Sequence, residues 1–330
     1  MVGGVGVVSL AQRLVEILDG SRTEEEIVET FEPEDRDAAA DLLRALTDRR
    51  LVTSRSEVGR VWTTDDPQTS FYREFTSSPD EVRQRLMASH VVIVGSNLIS
   101  SSILGRLAGL GLGAITIVGH RGLDSGDRYL DAAERGSAQG APVDGSTSVR
   151  VLRSGSLEQL EREPWSIVVA TSDFGEAEAL LEVNRLALRS RRPSLPVWLS
   201  NMVGFVGPLT HPFETACLRC YWLRVDANDP HHKARRSIQA DLSQSDPADR
   251  PVSAIPPMGD VLAAVAAMEL VKMLGAFVPS DAVGRSIEVN LVSFHSAVRR
   301  VLKVPRCPDC SEVMQTAAVA LTRGPRLPQP

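Results

Sequence analysis

The chain has 330 residues, a formal net charge of −6, 43% hydrophobic residues and 24% charged residues. These proportions are typical of a globular protein long enough for two domains, and the acidic balance argues against general nucleic-acid binding. No apolar run reaches the length of about eighteen residues that a membrane span needs, and the N-terminus lacks the basic start of a signal peptide, so the sequence predicts a cytoplasmic protein.

Residues 1–80 carry the pattern of a small separate domain. Apolar residues at helical spacing from Leu10 to Leu18 predict a first helix, and a capping box over Thr23–Glu26 predicts the start of a second. A third helix over 34–50 and a β-hairpin over 51–63 complete a winged-helix pattern. The domain has 17 Asp and Glu residues against 9 Arg and no Lys. This balance opposes contact with phosphates, and a DNA-binding regulator is kept only as an alternative.

Residues 81–330 begin with the signature of a doubly wound α/β sheet. An apolar strand over Val91–Gly95, a small-residue helix and a second apolar strand over Ala114–Val118 predict a β–α–β unit of the Rossmann type. Such a unit binds a nucleotide when its first turn is rich in glycine, because the backbone must approach the phosphates closely.

The first turn of this unit departs from that requirement. Gly95 is followed by Ser96 and Asn97, and then by the bulky pair Leu98-Ile99. The place of an acidic ribose ligand, after the second strand, holds His120. The β–α–β pattern therefore predicts the Rossmann-type fold, but the residues of the turn do not favour nucleotide binding.

Later elements continue the α/β pattern. Strands are predicted over 166–170, 196–199, 204–209, 287–291 and 297–302, and helices over 177–189 and 258–274. The stretches 131–149 and 226–256 are predicted as a loop and a long mobile crossover, and the Pro-rich tail 322–330 as unfolded. Asp173 follows the third strand, where it is either a magnesium ligand or a strand-end turn residue.

Four cysteines stand in two CxxC pairs, Cys217/Cys220 and Cys307/Cys310. Two such pairs can complete a closed tetrahedral zinc site of four thiolates, and the fold must then bring the pairs together across 86 residues. Two separate redox-active CxxC motifs are the alternative.

Several of these pieces occur in a recognisable order. They are the strand ending at Gly95, the segments 107–111, 170–173 and 204–207, the two CxxC pairs, Pro257-Met258-Gly259 and the helix end Met268-Glu269-Leu270-Val271-Lys272. From about residue 88 to 312 the chain resembles the ubiquitin-activating (ThiF-like) adenylyltransferase superfamily. With the acidic winged helix before it, the chain resembles the ThiF-like partners of YcaO-type cyclodehydratases, which form azolines in ribosomal peptides.

That resemblance implies a fold, a cofactor and partners. The expected architecture is a winged-helix peptide-recognition domain over 1–80 and a ThiF-like domain with structural Zn²⁺ over 81–330. The expected partners are the leader of a precursor peptide, a YcaO-type cyclodehydratase, a flavin dehydrogenase and a second copy of the chain. The leader would add as a strand beside an edge formed by Val5, Val7 and Val8. The third helix, with Leu43, Leu46 and Arg50 among its residues, would form the wall of the groove. A frayed terminus is the other interpretation of Val5 to Val8.

Departures from the parent enzymes lead to the functional prediction. The superfamily uses a glycine turn, an acid for ribose, a lysine and arginines for phosphates, and an acid for magnesium. Here the turn is filled, no lysine precedes Lys233, and only Asp173 remains as a magnesium candidate. We therefore expect ATP binding to be unlikely, the loop residues Gly95, Ser96, Asn97 and Asp173 to be vestigial, and the chain to be a non-catalytic scaffold. The alternative is an active ATP-dependent adenylyltransferase of a peptide or carrier-protein C-terminus.

Overall fold

The computed structural model describes residues 5–49, 51–52, 67–139, 147–153 and 157–311. The chain divides into two compact units, Met1–Asp80 and Glu81–Pro330. Among the described residues, none of the helices combines the length and hydrophobicity that crossing a membrane requires.

The described residues of the first unit include the helices α1 (Val5–Ile17), α2 (Glu24–Glu29), α3 (Arg36–Asp48) and α4 (Pro67–Arg73). The capping box is present, because Thr23 accepts the N–H of Glu26 while Glu26 accepts the N–H of Thr23. Leu14, Phe31 and Leu43 belong to its small core. Most of the predicted hairpin lies outside the described residues, so the winged helix stays a prediction.

The second unit is built on one eight-stranded sheet in the order β3-β2-β1-β4-β5-β6-β7-β8. Its strands are β1 (His90–Val94), β2 (Ala114–Val118), β3 (Ser148–Leu152), β4 (Ile167–Ser172), β5 (Ser194–Ser200), β6 (Val203–Val206), β7 (Arg285–Asn290) and β8 (Ser296–Arg300). The first five strands are parallel and the last three are antiparallel to their neighbours. The predicted doubly wound α/β fold is confirmed. The strand order reverses between β1 and β4, where such sheets bind ligands.

Helices cover both faces of this sheet. They are α5 (Pro79–Met87), α6 (Leu98–Ala108), α7 (Arg128–Gln139), α8 (Leu157–Glu161), α9 (Ala179–Arg189), α10 (Leu218–Asn228), α11 (His232–Gln244) and α12 (Pro256–Gly275). The apolar helix α12 packs along α6, and Leu262, Ala266 and Leu270 on its inner side are buried.

Two predictions about polar stretches were wrong. Residues 131–149 contain most of helix α7, which buries Leu130 and Ala133, and the start of strand β3. The crossover over 226–256 contains helix α11 and a 3-10 turn at Pro247–Asp249. No residue of α11 is fully buried. The helix is held by the ion pairs described below and by Leu242, which is half-buried against the core.

Candidate functional site

The loop that leaves β1 is tied to the ends of β2 and β4. Gly95 has a φ of +115°, and a Cβ there would lie 2.8 Å from the carbonyl of Thr171, so only glycine fits. Asn97 caps α6 by accepting the N–H of Ser100 at 3.0 Å. Its side-chain amide donates to the carbonyls of Leu123 at 3.0 Å and Thr171 at 2.9 Å. The loop is therefore a rigid, fully bonded element.

Asp173, at the end of β4, lies against the N-terminus of α6. Its Oδ2 accepts the N–H of Leu98 at 3.0 Å and the hydroxyl of Ser125 at 2.9 Å. Its Oδ1 is buried and has no hydrogen-bond partner among the described residues. Burial raises the pKa of this carboxyl above its usual value. An orphaned buried carboxylate oxygen is an unusual cost in a folded protein, and a bound cation would remove it.

A second acid, Asp124, lies in the same cluster and is the nearest acid to the predicted ribose place. Asp124 Oδ1 accepts the backbone N–H groups of Ser96 at 2.5 Å and His120 at 3.0 Å, and burial raises its pKa. His120, in the predicted ribose place, lies 3.4 Å from Glu182. The bond between Asp124 and Ser96 was not predictable, because the two residues are 28 positions apart and such a separation leaves no local pattern.

The bulky pair in the turn does not occupy the space in front of α6. A Cβ added to Gly259 of α12 would lie 2.8 Å from Leu98, so the Leu98 side chain packs on that helix. Ile99 is fully buried. Both side chains belong to the first turn of a helix and point into protein, while the N–H of Leu98 holds a carboxylate. The contact with α12 accounts for the position of Leu98, and the expectation that the loop is vestigial stays a prediction.

Two arginines lie near these acids, although no lysine precedes Lys233 in the sequence. Arg128 is close enough to Asp173 to lower its pKa, against the larger effect of burial. Arg250 acts in the same way on Asp124. Arg128 is exposed, whereas Arg250 is buried. The guanidinium of Arg128 donates to the hydroxyl of Tyr129 at 3.0 Å and stacks over its ring at 4.9 Å.

A cavity of about 600 Å³ opens beside Asp173. Its floor is the ends of β4 and β5, from Phe174 and from Leu199 to Asn201. The crossover forms its other wall through α11 and the segment that follows, including Ile238, Gln239 and Pro251. The cavity has the size and the mixed polar and apolar lining of a small-ligand site.

Ion pairs fasten α11 over this cavity. Arg235 pairs with Glu176 after β4, with Asp226 at 2.7 Å and with Asp229 at 3.0 Å. Arg236 pairs with Asp226 at 3.1 Å and stacks over Trp222, with its guanidinium carbon 4.1 Å from the ring centroid.

Arg250 fastens the end of the crossover. Its guanidinium donates to the carbonyls of Leu242 at 3.0 Å, Ser243 at 2.7 Å and Ser245 at 3.2 Å, and to that of Asp124. It also stacks over Phe174 at 4.5 Å. One buried arginine thus joins the crossover, the loop after β2 and the end of β4.

We expect Arg250→Ala to destabilise the protein by about 3 kcal/mol, since it leaves several carbonyls unpaired around a new cavity. Thermal unfolding would show a lower Tm, and limited proteolysis would cut faster within 231–255. Arg121→Ala is the matched control, because Arg121 is exposed and near Arg250. Equal Tm values and cleavage rates for the two variants would contradict this role of Arg250.

The two CxxC pairs converge. All four sulfurs are buried and lie within 4.8 Å of one another. The Sγ–Sγ distances are 4.0 Å for Cys217–Cys220, 3.8 Å for Cys217–Cys307 and 3.5 Å for Cys220–Cys310. Disulfides need about 2.05 Å, whereas four sulfurs at about 2.3 Å from a tetrahedral zinc lie roughly 3.8 Å apart. The cluster could therefore hold a zinc ion, as the spacing predicted.

The residues predicted to form the peptide groove do not have the predicted strand structure. Val5, Val7 and Val8 lie in helix α1 rather than in an extended edge, because the apolar spacing continues from Leu10 back to the start of the helix. Leu43 is buried and Leu46 half-buried in the small core. Arg50 lies outside the described residues. The peptide role of these residues stays a prediction, without the predicted strand.

No family model and no curated protein matches the chain. Solved structures do match its fold. MccB from E. coli is 18% identical with a TM-score of 0.65, over 94% of this chain and 92% of that one. MccB with ATP is 17% identical, with a TM-score of 0.67, over 94% and 91% of the two chains. The microcin C7 biosynthetic enzyme MccB in complex with N-formylated MccA is 19% identical, with a TM-score of 0.66, over 94% of each chain. At these identities the likeness shows the fold alone.

The comparison corrects the functional prediction. The chain resembles in fold, over nearly its whole length, a protein described as a biosynthetic enzyme and solved with ATP. The non-catalytic scaffold is therefore the wrong interpretation, and the expectation that ATP is unlikely conflicts with the same finding.

Proposed function

We propose that the chain is an ATP-dependent adenylyltransferase that activates the C-terminal carboxylate of a peptide. The observation that carries this proposal is Asp173. It stands at the switch point of the sheet, against the N-terminus of α6, with one buried oxygen free of hydrogen bonds. A helix N-terminus and a carboxylate at this point suit a metal–nucleotide complex.

In the proposed reaction a peptide carboxylate oxygen attacks the α-phosphorus of ATP. The bond from the α-phosphorus to its bridging oxygen breaks, pyrophosphate leaves, and a peptidyl adenylate forms. Asp173 would hold the magnesium ion that neutralises the phosphates, and Arg128 would contact a phosphate oxygen. The cavity beside Asp173 would take the end of the peptide, and the crossover would keep water out.

Binding and exchange test the proposal separately. Calorimetry with magnesium and α,β-methylene ATP should give a Kd in the usual substrate range of about 1 µM to 1 mM, and omission of magnesium should weaken binding. Pyrophosphate exchange into ATP should then appear with some peptides that have a free C-terminal carboxylate and not with their amides. Absence of nucleotide binding at the top of that range would contradict the proposal.

We propose, from the resemblance, that the peptide is a ribosomal precursor. MccB has been solved with MccA, and this supports a peptide partner. A YcaO-type cyclodehydratase, a flavin dehydrogenase and a homodimer stay predictions that no described contact bears on. Co-purification with a candidate precursor peptide would test the proposal of a peptide partner.

A further inference from the structure

Strand β8 forms one end of the sheet. Val301 donates to the carbonyl of Gly284 at 2.9 Å, and Asn290 donates to that of His295 at 2.8 Å. Because hydrogen-bonded residues alternate in an antiparallel pair, Val298 and Arg300 direct their backbone N–H and C=O groups away from β7. No strand of the described chain pairs with this outer side. Within the described residues this side is therefore an open strand edge, a kind of surface that can pair with another strand.

The same edge carries concentrated positive charge. Arg300 stands directly opposite Arg285 on β7, at a pair that lacks mutual hydrogen bonds and has its Cα atoms only about 4.5 Å apart. Like charges at such positions destabilise a sheet. Arg285 has a long contact of 3.6 Å with Asp281, and Arg300 has no ion pair within the described residues. Arg285, Arg300 and Lys303 all line one cavity of about 500 Å³.

Arginines also lie on the other face of the β8 edge. Arg299 and Arg224 line a second cavity, of about 440 Å³, together with Asp229 and Glu288. Arg224 also donates to the carbonyls of Leu302 and Lys303, and Arg300 borders both cavities. Arg299 is 65% exposed and its one acidic partner is Glu288, at 2.6 Å. An anionic strand laid along β8 would meet arginines on both of its faces.

We propose that the outer edge of β8 binds an extended acidic peptide segment as an added strand. The backbone of the segment pairs with Val298 and Arg300, and its acidic side chains neutralise the opposed pair Arg285 and Arg300. A second copy of the chain is a poor occupant, since edge-to-edge pairing would bring two sets of these arginines together. The proposal is independent of the adenylylation reaction.

Fluorescence anisotropy with the full chain tests this. The probe is a fluorescein-labelled peptide of about eight residues in which Glu alternates with Val, so that every glutamate lies on one face of the added strand. We expect saturable binding that weakens with salt, and a loss of at least tenfold for Arg300→Glu. Val298→Pro should give a similar loss, because it removes one outward N–H at an edge position where proline is tolerated.

Matched controls separate this site from general charge attraction. Val298→Thr keeps the N–H and should bind the probe with an unchanged Kd. Arg106→Glu changes the same charge on helix α6, away from the edge, and should also leave the Kd unchanged. Equal affinity for a probe with Lys in place of Glu, or an unchanged Kd in Arg300→Glu, overturns the proposal. If Val298→Pro fails to fold, as judged by circular dichroism, Arg300→Glu alone decides. A dimer in sedimentation that Arg300→Glu strengthens would assign the edge to a second copy.

Discussion

Asp173→Asn is expected to abolish most of the adenylylation activity while leaving the fold intact. The amide can still accept the N–H of Leu98 and the hydroxyl of Ser125, the two groups that Asp173 holds now. It cannot neutralise a metal ion beside the phosphates. Loss of such a charge in a water-poor site costs about 100- to 1000-fold in rate. Pyrophosphate exchange in the presence of the peptide measures the loss directly.

Stability should move in the opposite direction for this variant. Burial raises the pKa of Asp173, so its ionised form is a cost to the native state at neutral pH. The neutral amide removes that cost, and we expect a higher Tm. Ser125→Ala is the control: it deletes one hydrogen bond to the same oxygen and keeps the charge, and exchange should fall only a few-fold. Should Asp173→Asn exchange at the wild-type rate, Asp173 is only a turn residue.

Loss of one cysteine from the four-sulfur cluster is expected to unfold the C-terminal part of the sheet. The cluster fixes the segment that follows β8 to the start of α10, and Val304 donates its N–H to the sulfur of Cys220 at 3.3 Å. Structural zinc sites in isolated peptides contribute about 10 to 16 kcal/mol. We therefore expect Cys220→Ser to lower the Tm by about 10 °C or more.

Elemental analysis checks the same site. One zinc per chain is expected in the wild type and none in Cys220→Ser. Ser311→Ala is a matched control, since Ser311 is buried beside the cluster and bonds the carbonyl of Pro305 at 2.8 Å. It should keep the zinc and lose about 1 kcal/mol. A metal-free wild type whose stability depends on reductant would point to the redox alternative.

The sequence predicted the elements whose apolar runs are long and continuous. Strands β1, β2 and β4 are buried throughout most of their length, so a short β-branched run was enough to identify them. The meeting of the two CxxC pairs was also predictable, because the ligand chemistry of cysteine allows few other uses in that spacing.

The direction of side chains and the long-range polar bonds were not predictable in this way. Leu98 was assigned to the phosphate space because a sequence gives residue identity and not orientation; in the structure it turns onto Gly259. Helix α11 was missed because much of its support comes from the ion pairs of Arg235 and Arg236, and few of its residues are apolar. The partners of Asp124 and Arg250 lie up to 126 residues away along the chain.

The convergence of residues 217–220 with 307–310 has a consequence for biosynthesis. A ribosome releases the first pair of thiols long before the second pair exists, and adds the intervening residues at about 5 to 20 per second. During that time Cys217 and Cys220 are reduced thiols, and the other two cysteines of the cluster have not yet been synthesised. The four-cysteine cluster therefore assembles late in synthesis. A truncated nascent chain that stops short of Cys307 would expose two reactive sulfurs to oxidants and to competing metals.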